Sequence, residues 1–201
     1  MMNHSNLESD VWDLFRQGSS DAFSKLYHQH FNGLYQYAQR MLGSADEAKD
    51  SVQDLFAILW EQRQQLPLVH SVKPYLFRAL RNRLINQLQR QDRQKQHLYQ
   101  LYTEQAAFQF AAQDFSPHQS ITPEEVAIQI LNQLPPRRRE AIYLRYFRKL
   151  SYQEIALIMN LSQRAVINHI YKAFKALRKD ENVQRLIRHI AVFLLTLLTI
   201  A

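Results

Sequence analysis

Two short helices joined by a one-residue turn are the most constraining feature of this sequence. Ser151 and Glu154 have the spacing of a capping box, in which each side chain satisfies a free N–H group at a helix start. Asn160 follows the apolar residues of the first helix, and Asn tolerates left-handed backbone better than most residues other than Gly. Ser162 can cap the next helix. The spacing therefore predicts a helix after Ser151, a turn at Asn160 and a second helix from residue 163.

The second of these helices has two distinct faces. At helical periodicity one arc is apolar and the opposite arc is polar and basic. The apolar arc holds Val166, Ile170, Ala173, Phe174 and Leu177, and the polar arc holds Arg164, Asn168, Tyr171, Lys172 and Lys175. Arg can pair with guanine, Asn can pair with adenine, and Lys can hold phosphates. This pattern indicates a helix that enters the major groove of duplex DNA.

The composition favours an all-α protein. The 201 residues include only 3 Gly and 6 Pro, and 46% of them are hydrophobic, enough for one large core or two small ones. The chain has no Cys, which excludes disulfides and thiolate metal sites and suits a reducing compartment, the cytoplasm. We find no Gly-rich phosphate loop, catalytic signature or secretory signal, and His28 and His30 point to different helix sides. We therefore expect no enzyme, no cofactor and no metal site.

The net charge of +7 is unevenly distributed. Residues 73–95 contain seven cations and one acid, and residues 137–149 contain six cations and one acid. Residues 96–125 contain no Lys or Arg and four acids. Two basic lobes joined by an acidic segment allow a polyanionic partner.

These patterns divide the chain into four parts. Residues 10–95 have helical periodicity with breaks at Gly18, at Gly43 and near Pro67, and they predict a first helical domain. Residues 96–123 lose that periodicity and predict a flexible acidic linker. Residues 124–179 predict a second helical domain. Residues 180–201 end in 12 uncharged residues, fewer than the roughly 17 needed to cross a bilayer, so we expect this tail to be buried against the protein or a partner.

The first domain has one basic helix face and one acidic helix face. In residues 74–91 an exposed arc of Tyr75, Arg78, Asn82 and Asn86 faces away from an apolar arc of Leu76, Phe77, Leu80, Leu84 and Leu88. Cations, amides and an aromatic on one arc suit a single or opened nucleic-acid strand. The preceding helix opens with Ser44 and Glu47 at capping-box spacing, and its periodicity places Phe56 on the core side. Its other side carries Asp46, Asp50 and Asp54, which suggests a surface for a basic protein partner.

At this point the chain resembles the RNA polymerase sigma factors of the small, two-domain, extracytoplasmic-function (ECF) type in the sigma-70 family. The stretch DAFSKLYHQHFNGLYQYAQRMLGSADEAKDSVQDLFAILW, followed by KPYLFRALRNRLINQLQR, is similar to the family's region 2. The stretch LNQLPPRRREAIYLRYFRKLSYQEIALIMNLSQRAVINHIYKAFKALR is similar to region 4. The resemblance implies an alternative sigma factor that binds core RNA polymerase, recognises the minus-35 and minus-10 promoter elements and promotes DNA melting.

The resemblance also implies the residues of three binding surfaces. In this family the acidic helix of region 2 binds a coiled coil of the polymerase β′ subunit, which corresponds to Asp50, Gln53, Asp54 and Phe56. The basic helix contacts the minus-10 element, which corresponds to Arg78, Asn82 and Asn86, with Tyr75 on the same arc, and the loop at residues 66–73 would receive a flipped base. The recognition helix reads the minus-35 element, which corresponds to Gln163, Arg164, Ile167, Asn168, Tyr171 and Lys172.

The implied partners are core RNA polymerase, through its β′ and β subunits, promoter DNA and an anti-sigma factor. Membrane contact would be indirect through that anti-sigma factor, or would use the apolar tail. Ala165, Ile167 and His169 replace residues that are frequently Thr, Lys and Arg in the family, so base preferences do not transfer.

Two other functions are compatible with parts of the sequence. A stand-alone helix-turn-helix regulator would bind a duplex operator as a dimer, but it leaves the first domain without a role. A membrane-associated basic interaction protein would bind liposomes through residues 186–201.

Overall fold

The computed structural model describes residues 4–93, 108–110 and 123–179 as two contacting groups of helices. The first lobe contains α1 (His4–Arg16), α2 (Ser20–Leu42), α3 (Ala45–Glu61), a short 3₁₀ turn (Arg63–Gln65) and α4 (Val72–Arg93). The second lobe contains α5 (Pro123–Asn132), α6 (Pro136–Ile142) with a π-helical continuation (Tyr143–Phe147), α7 (Tyr152–Met159) and α8 (Gln163–Leu177). No strand occurs within these described ranges, and the all-α prediction is confirmed.

The helices of the first lobe end where the sequence predicts turns. Gly18 has φ 98°, a backbone that residues with a Cβ rarely adopt, and it separates α1 from α2. Gly43 has φ 72° and donates its N–H to the Gln39 carbonyl at the end of α2. The lobe begins earlier than residue 10, because α1 starts at His4 and buries Trp12 and Phe15 in the core.

The capping box predicted at the start of α3 is only half formed. The Ser44 hydroxyl accepts a hydrogen bond from the Glu47 N–H at 3.3 Å. The Glu47 carboxylate, however, accepts from Gln87 Nε2 on α4 at 3.2 Å, and its bond back to the Ser44 N–H is not formed. A neighbouring helix therefore takes the side chain that sequence spacing assigns to the cap.

The helix-turn-helix of the second lobe forms as predicted. The Ser151 hydroxyl accepts from the Glu154 N–H at 3.2 Å, and the Glu154 carboxylate accepts from the Ser151 N–H at 2.7 Å. Asn160 adopts φ 53° and ends α7, and the Ser162 hydroxyl accepts from the Ala165 N–H at 3.1 Å to cap α8. Ile155, Ala156, Ile158 and Met159 are buried, as their spacing predicts.

The two lobes contact each other through α4 and α7 and through a short piece of the connecting chain. Phe108 and Phe110 lie inside the predicted linker, yet they are 1% and 3% exposed and belong to the same apolar core as both lobes. The remainder of the predicted linker and the apolar tail at 180–201 lie outside the described residues. The residues predicted for the minus-10 and minus-35 elements therefore sit on lobes that pack together in this structure.

Candidate nucleic-acid interface

The polar face of α8 is the most exposed of the three predicted surfaces. Val166, Ile170 and Ala173 anchor the helix, being 0%, 5% and 0% exposed. All six predicted minus-35 residues face solvent, and they are Gln163, Arg164, Ile167, Asn168, Tyr171 and Lys172. We call this set the recognition face. The structure thus brings together every residue that the resemblance implies for the minus-35 element.

Phe174 departs from the predicted apolar arc of α8. It is 40% exposed, and its ring makes an edge contact with Tyr146 at 5.6 Å between centroids. Tyr146 lies in the π-helical segment and is itself 50% exposed. Phe174 therefore extends the surface beside the recognition face, although it lies on the predicted apolar arc.

Arg137 and Arg138 lie close to the recognition face, although sequence reasoning assigned them no role. They stand in the first turn of α6, which packs against α8. Burial lowers the pKa of His169 on α8, and the charges of Arg137, Arg138 and Lys172 lower it further. The dense basic run at 137–149 is the sequence signal for this cluster, but only the packing of α6 on α8 shows which of its residues lie beside the helix.

The second predicted surface lies on α4 and is exposed over most of its length. Arg78, Asn82 and Asn86 face solvent, and we call them the strand face. The helix is held from behind by Leu76, Phe77, Leu80 and Leu84, each no more than 1% exposed.

Tyr75 was predicted to lie on the exposed arc, but in the structure it packs against Trp12. Its ring packs edge-on against Trp12 at 5.2 Å between centroids, and it is only partly accessible. Burial raises the pKa of its phenol, although Arg78 partly opposes that effect. The α1 helix supplies the contact, and the sequence pattern of α4 alone contains no information about α1.

One end of the strand face lies across a cavity from the second lobe. Arg78 lines a cavity of about 410 Å³ together with Gln153, Ala156, Leu157 and Asn160 of the helix-turn-helix, and with Leu161 and Gln163. Arg78 and Gln163 belong to the two different predicted promoter surfaces. In this structure those surfaces therefore meet at one edge.

The acidic side of α3 is the third predicted surface. Asp46, Asp50 and Gln53 are exposed. Asp54 forms an ion pair with Arg83, and the distance from Arg83 Nη2 to Asp54 Oδ2 is 3.1 Å. This pair offsets the like-charge repulsion between Asp50 and Asp54.

The assignment of Phe56 to the polymerase-binding surface is corrected by the structure. Phe56 is 3% exposed, and its ring centroid lies 6.1 Å from that of Phe23 and 4.9 Å from that of Tyr27. Its side chain belongs to the core, as helical periodicity predicts, and is not accessible to a polymerase subunit.

The loop between α3 and α4 is held at its base and exposed at its tip. Trp12 Nε1 donates to the Pro67 carbonyl at 3.0 Å, and Arg16 Nε donates to the Leu66 carbonyl at 2.8 Å. Leu68 is 72% exposed. Lys73 Nζ donates to the Arg148 carbonyl of the second lobe at 2.7 Å, and burial together with the nearby Arg148 lowers the pKa of Lys73.

Within the described ranges no three His, Asp or Glu side chains are grouped so as to hold a metal ion. In the same part of the chain, no helix is both long and apolar enough to cross a membrane.

Family comparisons agree with this geometry. A sequence profile of Sigma-70 region 2 matches residues 26–94, and a profile of Sigma-70, region 4 matches residues 125–177. The chain is 28% identical over 175 residues to the ECF RNA polymerase sigma factor SigW of Bacillus subtilis, covering 82% of this chain and 91% of that protein. It is 28% identical over 155 residues to the ECF RNA polymerase sigma factor SigM of Bacillus subtilis, covering 77% and 91%.

Two solved structures have the same fold. The sigma factor RpoE in complex with the anti-sigma factor NepR from Bartonella quintana superposes with a TM-score of 0.59 at 23% identity, covering 83% of this chain and 96% of that one. CnrH in complex with the cytosolic domain of CnrY superposes with a TM-score of 0.59 at 20% identity, covering 90% and 97%.

Both promoter-binding regions of one family occur in order in a single chain, each on the lobe that carries the corresponding predicted surface. The chain belongs to the sigma-70 family, in its ECF group. It is an alternative RNA polymerase sigma factor, and the stand-alone regulator and the membrane-associated protein are not favoured.

Proposed function

We propose that this sigma factor binds core RNA polymerase through the acidic side of α3 and contacts a two-part promoter through the strand face and the recognition face. The exposed, structurally supported recognition face carries this proposal. Six side chains of four chemical kinds, cationic, amide, aliphatic and aromatic, stand on one side of a helix whose other side is buried. A major groove admits such a helix, and Arg and Asn on it can discriminate bases.

On the first lobe, Asp50, Gln53 and Asp54 form the polymerase-binding surface. The two carboxylates are exposed to a basic partner, and Arg83 orients Asp54 without covering it, since the Asp54 side chain is 67% exposed. Phe56 takes no part, because it is in the core. Complementary charges of this kind increase the association rate and select the correct partner.

The strand face acts on the promoter strand that separates during melting. Arg78 holds the phosphate backbone, and the amides of Asn82 and Asn86 hydrogen-bond to exposed base edges. The exposed tip of the loop at residues 66–73 receives a base turned out of the duplex, a step that requires unpaired DNA. Tyr75 is left out of this set because it packs on Trp12.

The factor acts in the cytoplasm, where the polymerase is, and it performs no catalysis and uses no cofactor. Its partners include an anti-sigma factor. The two structural relatives support this last point, since each was solved in a complex, with the anti-sigma factor NepR and with the cytosolic domain of CnrY.

Run-off transcription on a pooled promoter library with purified core polymerase tests the proposal. We expect transcripts that start downstream of a shared two-part motif. The double substitution Asp50→Lys and Asp54→Lys should abolish them and should remove binding to core polymerase. Binding of the same variant to minus-35 duplex DNA should be unchanged, because the second lobe is untouched.

The matched control carries Asp10→Lys and Asp21→Lys, which change the charge of the first lobe by the same amount at exposed positions on α1 and α2, outside α3. It should retain transcription. Equal loss in the control and in the Asp50 and Asp54 variant would show a general charge effect and would contradict the proposed surface.

A further inference from the structure

Two parts of the second lobe differ in how their side chains are covered. Glu140 of α6 is 3% exposed, and its carboxylate accepts hydrogen bonds from Tyr37 Oη at 2.6 Å and from Arg81 Nε at 2.7 Å. At the C-terminal end of α8, by contrast, large aromatic side chains face solvent. A buried polar group with donors is the ordinary arrangement in a protein, whereas grouped aromatic rings on a surface indicate a binding site.

Three exposed rings form a patch at this end of α8. Tyr171 is 62% exposed, and Tyr146 and Phe174, at 50% and 40%, meet edge to face with their centroids 5.6 Å apart. Tyr171 and Phe174 also line a cavity of about 490 Å³. Single exposed apolar side chains are common on protein surfaces, but a group of them beside a cavity is not. We call Tyr146, Tyr171 and Phe174 the aromatic patch.

Cations form the rest of this cavity wall. Lys175, Arg178 and Lys179 line it together with the two rings, and all three are exposed. Among the described residues that line the cavity there is no acid. The surface is therefore complementary to a segment that combines an apolar run with nearby acidic residues.

The residues that follow Lys179 have this chemistry. Asp180 and Glu181 come first, and residues 190–201, which we call the apolar run, read IAVFLLTLLTIA. They lie beyond residue 177, where the match to Sigma-70, region 4 stops, so they are not part of the shared domain. An apolar run of this length is unfavourable in water and promotes aggregation unless a surface covers it.

The attachment point of the apolar run lies at the cavity itself. Lys179 lines the cavity, and residues 180–189 separate it from the apolar run. Those ten residues can span up to about 36 Å, whereas Tyr171 lies only about 12 Å from Lys179 along the helix axis. The apolar run therefore reaches the whole aromatic patch. Because the two are joined by a short connection, binding within one chain is favoured over binding between chains.

We propose that residues 190–201 bind the aromatic patch of the same chain, with Asp180 and Glu181 beside the cations of the cavity, and that the bound run competes with duplex DNA. Tyr171 belongs to both the aromatic patch and the recognition face, and Lys175 lies on the predicted polar arc of α8. The competition rests on the proposed function, whereas binding of the run to the patch does not. If the run occupies the patch in about nine molecules of ten, the apparent affinity for duplex DNA falls about tenfold.

Hydroxyl-radical footprinting of the full chain tests this binding without DNA or polymerase, because mass spectrometry measures how fast each aromatic side chain is oxidised. Tyr171 and Phe174 should be oxidised several-fold more slowly in the wild type than in a variant of the apolar run. Tyr35 of the first lobe is the internal reference and should not change. The run variant replaces four apolar side chains by Ser, namely Leu194→Ser, Leu195→Ser, Leu197→Ser and Leu198→Ser.

The matched control for the run variant is Thr196→Ser with Thr199→Ser, which keeps both hydroxyls and removes only two methyl groups from the same segment. It should retain the wild-type oxidation rates at Tyr171 and Phe174. Circular dichroism of the run variant checks that its helix content is unchanged.

A substitution on the patch tests the same contact from the other side. Tyr146→Ser removes an exposed ring, and Phe193 of the apolar run should then be oxidised several-fold faster than in the wild type. The control is Leu157→Ser on α7, which removes another exposed apolar side chain of the second lobe outside the patch. It should leave the oxidation rate of Phe193 unchanged.

Three results would overturn binding within one chain. The first is equal oxidation of Tyr171 and Phe174 in the wild type and the run variant. The second is protection that increases with protein concentration, which would assign the patch to the run of a second copy. The third is protection that appears only after addition of vesicles of phosphatidylglycerol and phosphatidylcholine, which would assign the run to a lipid surface.

A gel-shift titration tests the competition, with the upstream half of the motif from run-off transcription as the duplex. The run variant should bind this duplex about tenfold more tightly than the wild type, and the Thr control should bind like the wild type. Equal affinities combined with a protected patch would overturn the competition. A protected patch in a wild type and a run variant that both fail to bind the duplex would instead support the binding of the run and contradict the proposed function.

Discussion

The two lobes present their proposed nucleic-acid surfaces in different ways. The recognition face on α8 stands on a helix with a buried back and is exposed along all six positions. The strand face on α4 is also exposed at Arg78, Asn82 and Asn86, but α4 packs against α7 of the other lobe, whereas α8 packs on α6 and α7 of its own lobe. If the proposed function is correct, we expect α8 to be available to duplex DNA in the arrangement described here, and the part of α4 that packs on α7 to become available only when the lobes separate.

The largest expected effect tests this difference directly. Arg164→Ala with Asn168→Ala should weaken binding to minus-35 duplex DNA by about 2–6 kcal/mol, since each base-reading side chain contributes about 1–3 kcal/mol. A gel-shift titration with the isolated duplex measures it. Asn82→Ala with Asn86→Ala should leave this binding unchanged and should reduce transcription, with less reduction on a template already unpaired at the minus-10 element. Equal loss of duplex binding in both variants would remove the distinction between the two faces.

A smaller effect concerns the backbone that positions the recognition face. Asn160 has φ 53°, and a residue with a Cβ but no polar side chain is disfavoured there by about 1–2 kcal/mol. Asn160→Val should lower the free energy of unfolding by that amount, measured by denaturant titration of the full chain. Asn160→Gly should restore most of it, because Gly adopts this conformation freely. A Gly variant as unstable as the Val variant would show that the Asn160 side chain matters more than its backbone.

The helix caps at Ser151 and Ser44 allow the two lobes to be compared by the stability that each cap contributes. Ser151→Ala removes one half of a complete capping box and should cost about 1 kcal/mol of stability. Ser44→Ala removes a single bond of 3.3 Å from a half-formed box and should cost less. Thermal unfolding of both variants measures the two costs. A larger cost for Ser44→Ala would mean that the link from Glu47 to Gln87 depends on the cap.

The smallest effect is a pH dependence of the second lobe. Burial and the adjacent cations lower the pKa of His169, so the unfolded chain binds its proton more readily than the folded chain. The contribution of neutral His169 to the free energy of unfolding should therefore be fully present above the ordinary His pKa of about 6.5. It should be lost as the pH falls below that value and through the lowered pKa of the folded state. His169→Gln should flatten the decline measured by chemical denaturation between neutral and mildly acidic pH. An unchanged slope would assign the decline to another group.

Local spacing predicted most of the second lobe. The cap at Ser151, the turn at Asn160 and the exposed arc from Gln163 to Lys172 each depend on residues a few positions apart, where helical geometry decides which side chains share a face. Phe174 lies on the predicted apolar arc, yet it is 40% exposed and its ring contacts Tyr146 of the π-helical segment, a contact between two elements that spacing within one helix cannot predict.

Contacts between distant residues could not be predicted in this way. Tyr37 and Glu140 are separated by 103 positions, and Phe108 lies in a stretch without helical periodicity. Periodicity placed Phe56 in the core, whereas the family resemblance placed it on the polymerase surface, and the structure agrees with periodicity. Tyr75 shows the same limit, since the ring that partly covers it belongs to α1.

The buried carboxylate of Glu140 also fixes an order of events during synthesis of the chain. Its donors Tyr37 and Arg81 precede it by 103 and 59 residues. At about 5–20 residues per second a ribosome needs roughly 3–12 seconds to go from Arg81 to Glu140. During that interval α4 has no second lobe beside it. Every newly made molecule therefore passes once through a form in which the second lobe does not yet cover α4.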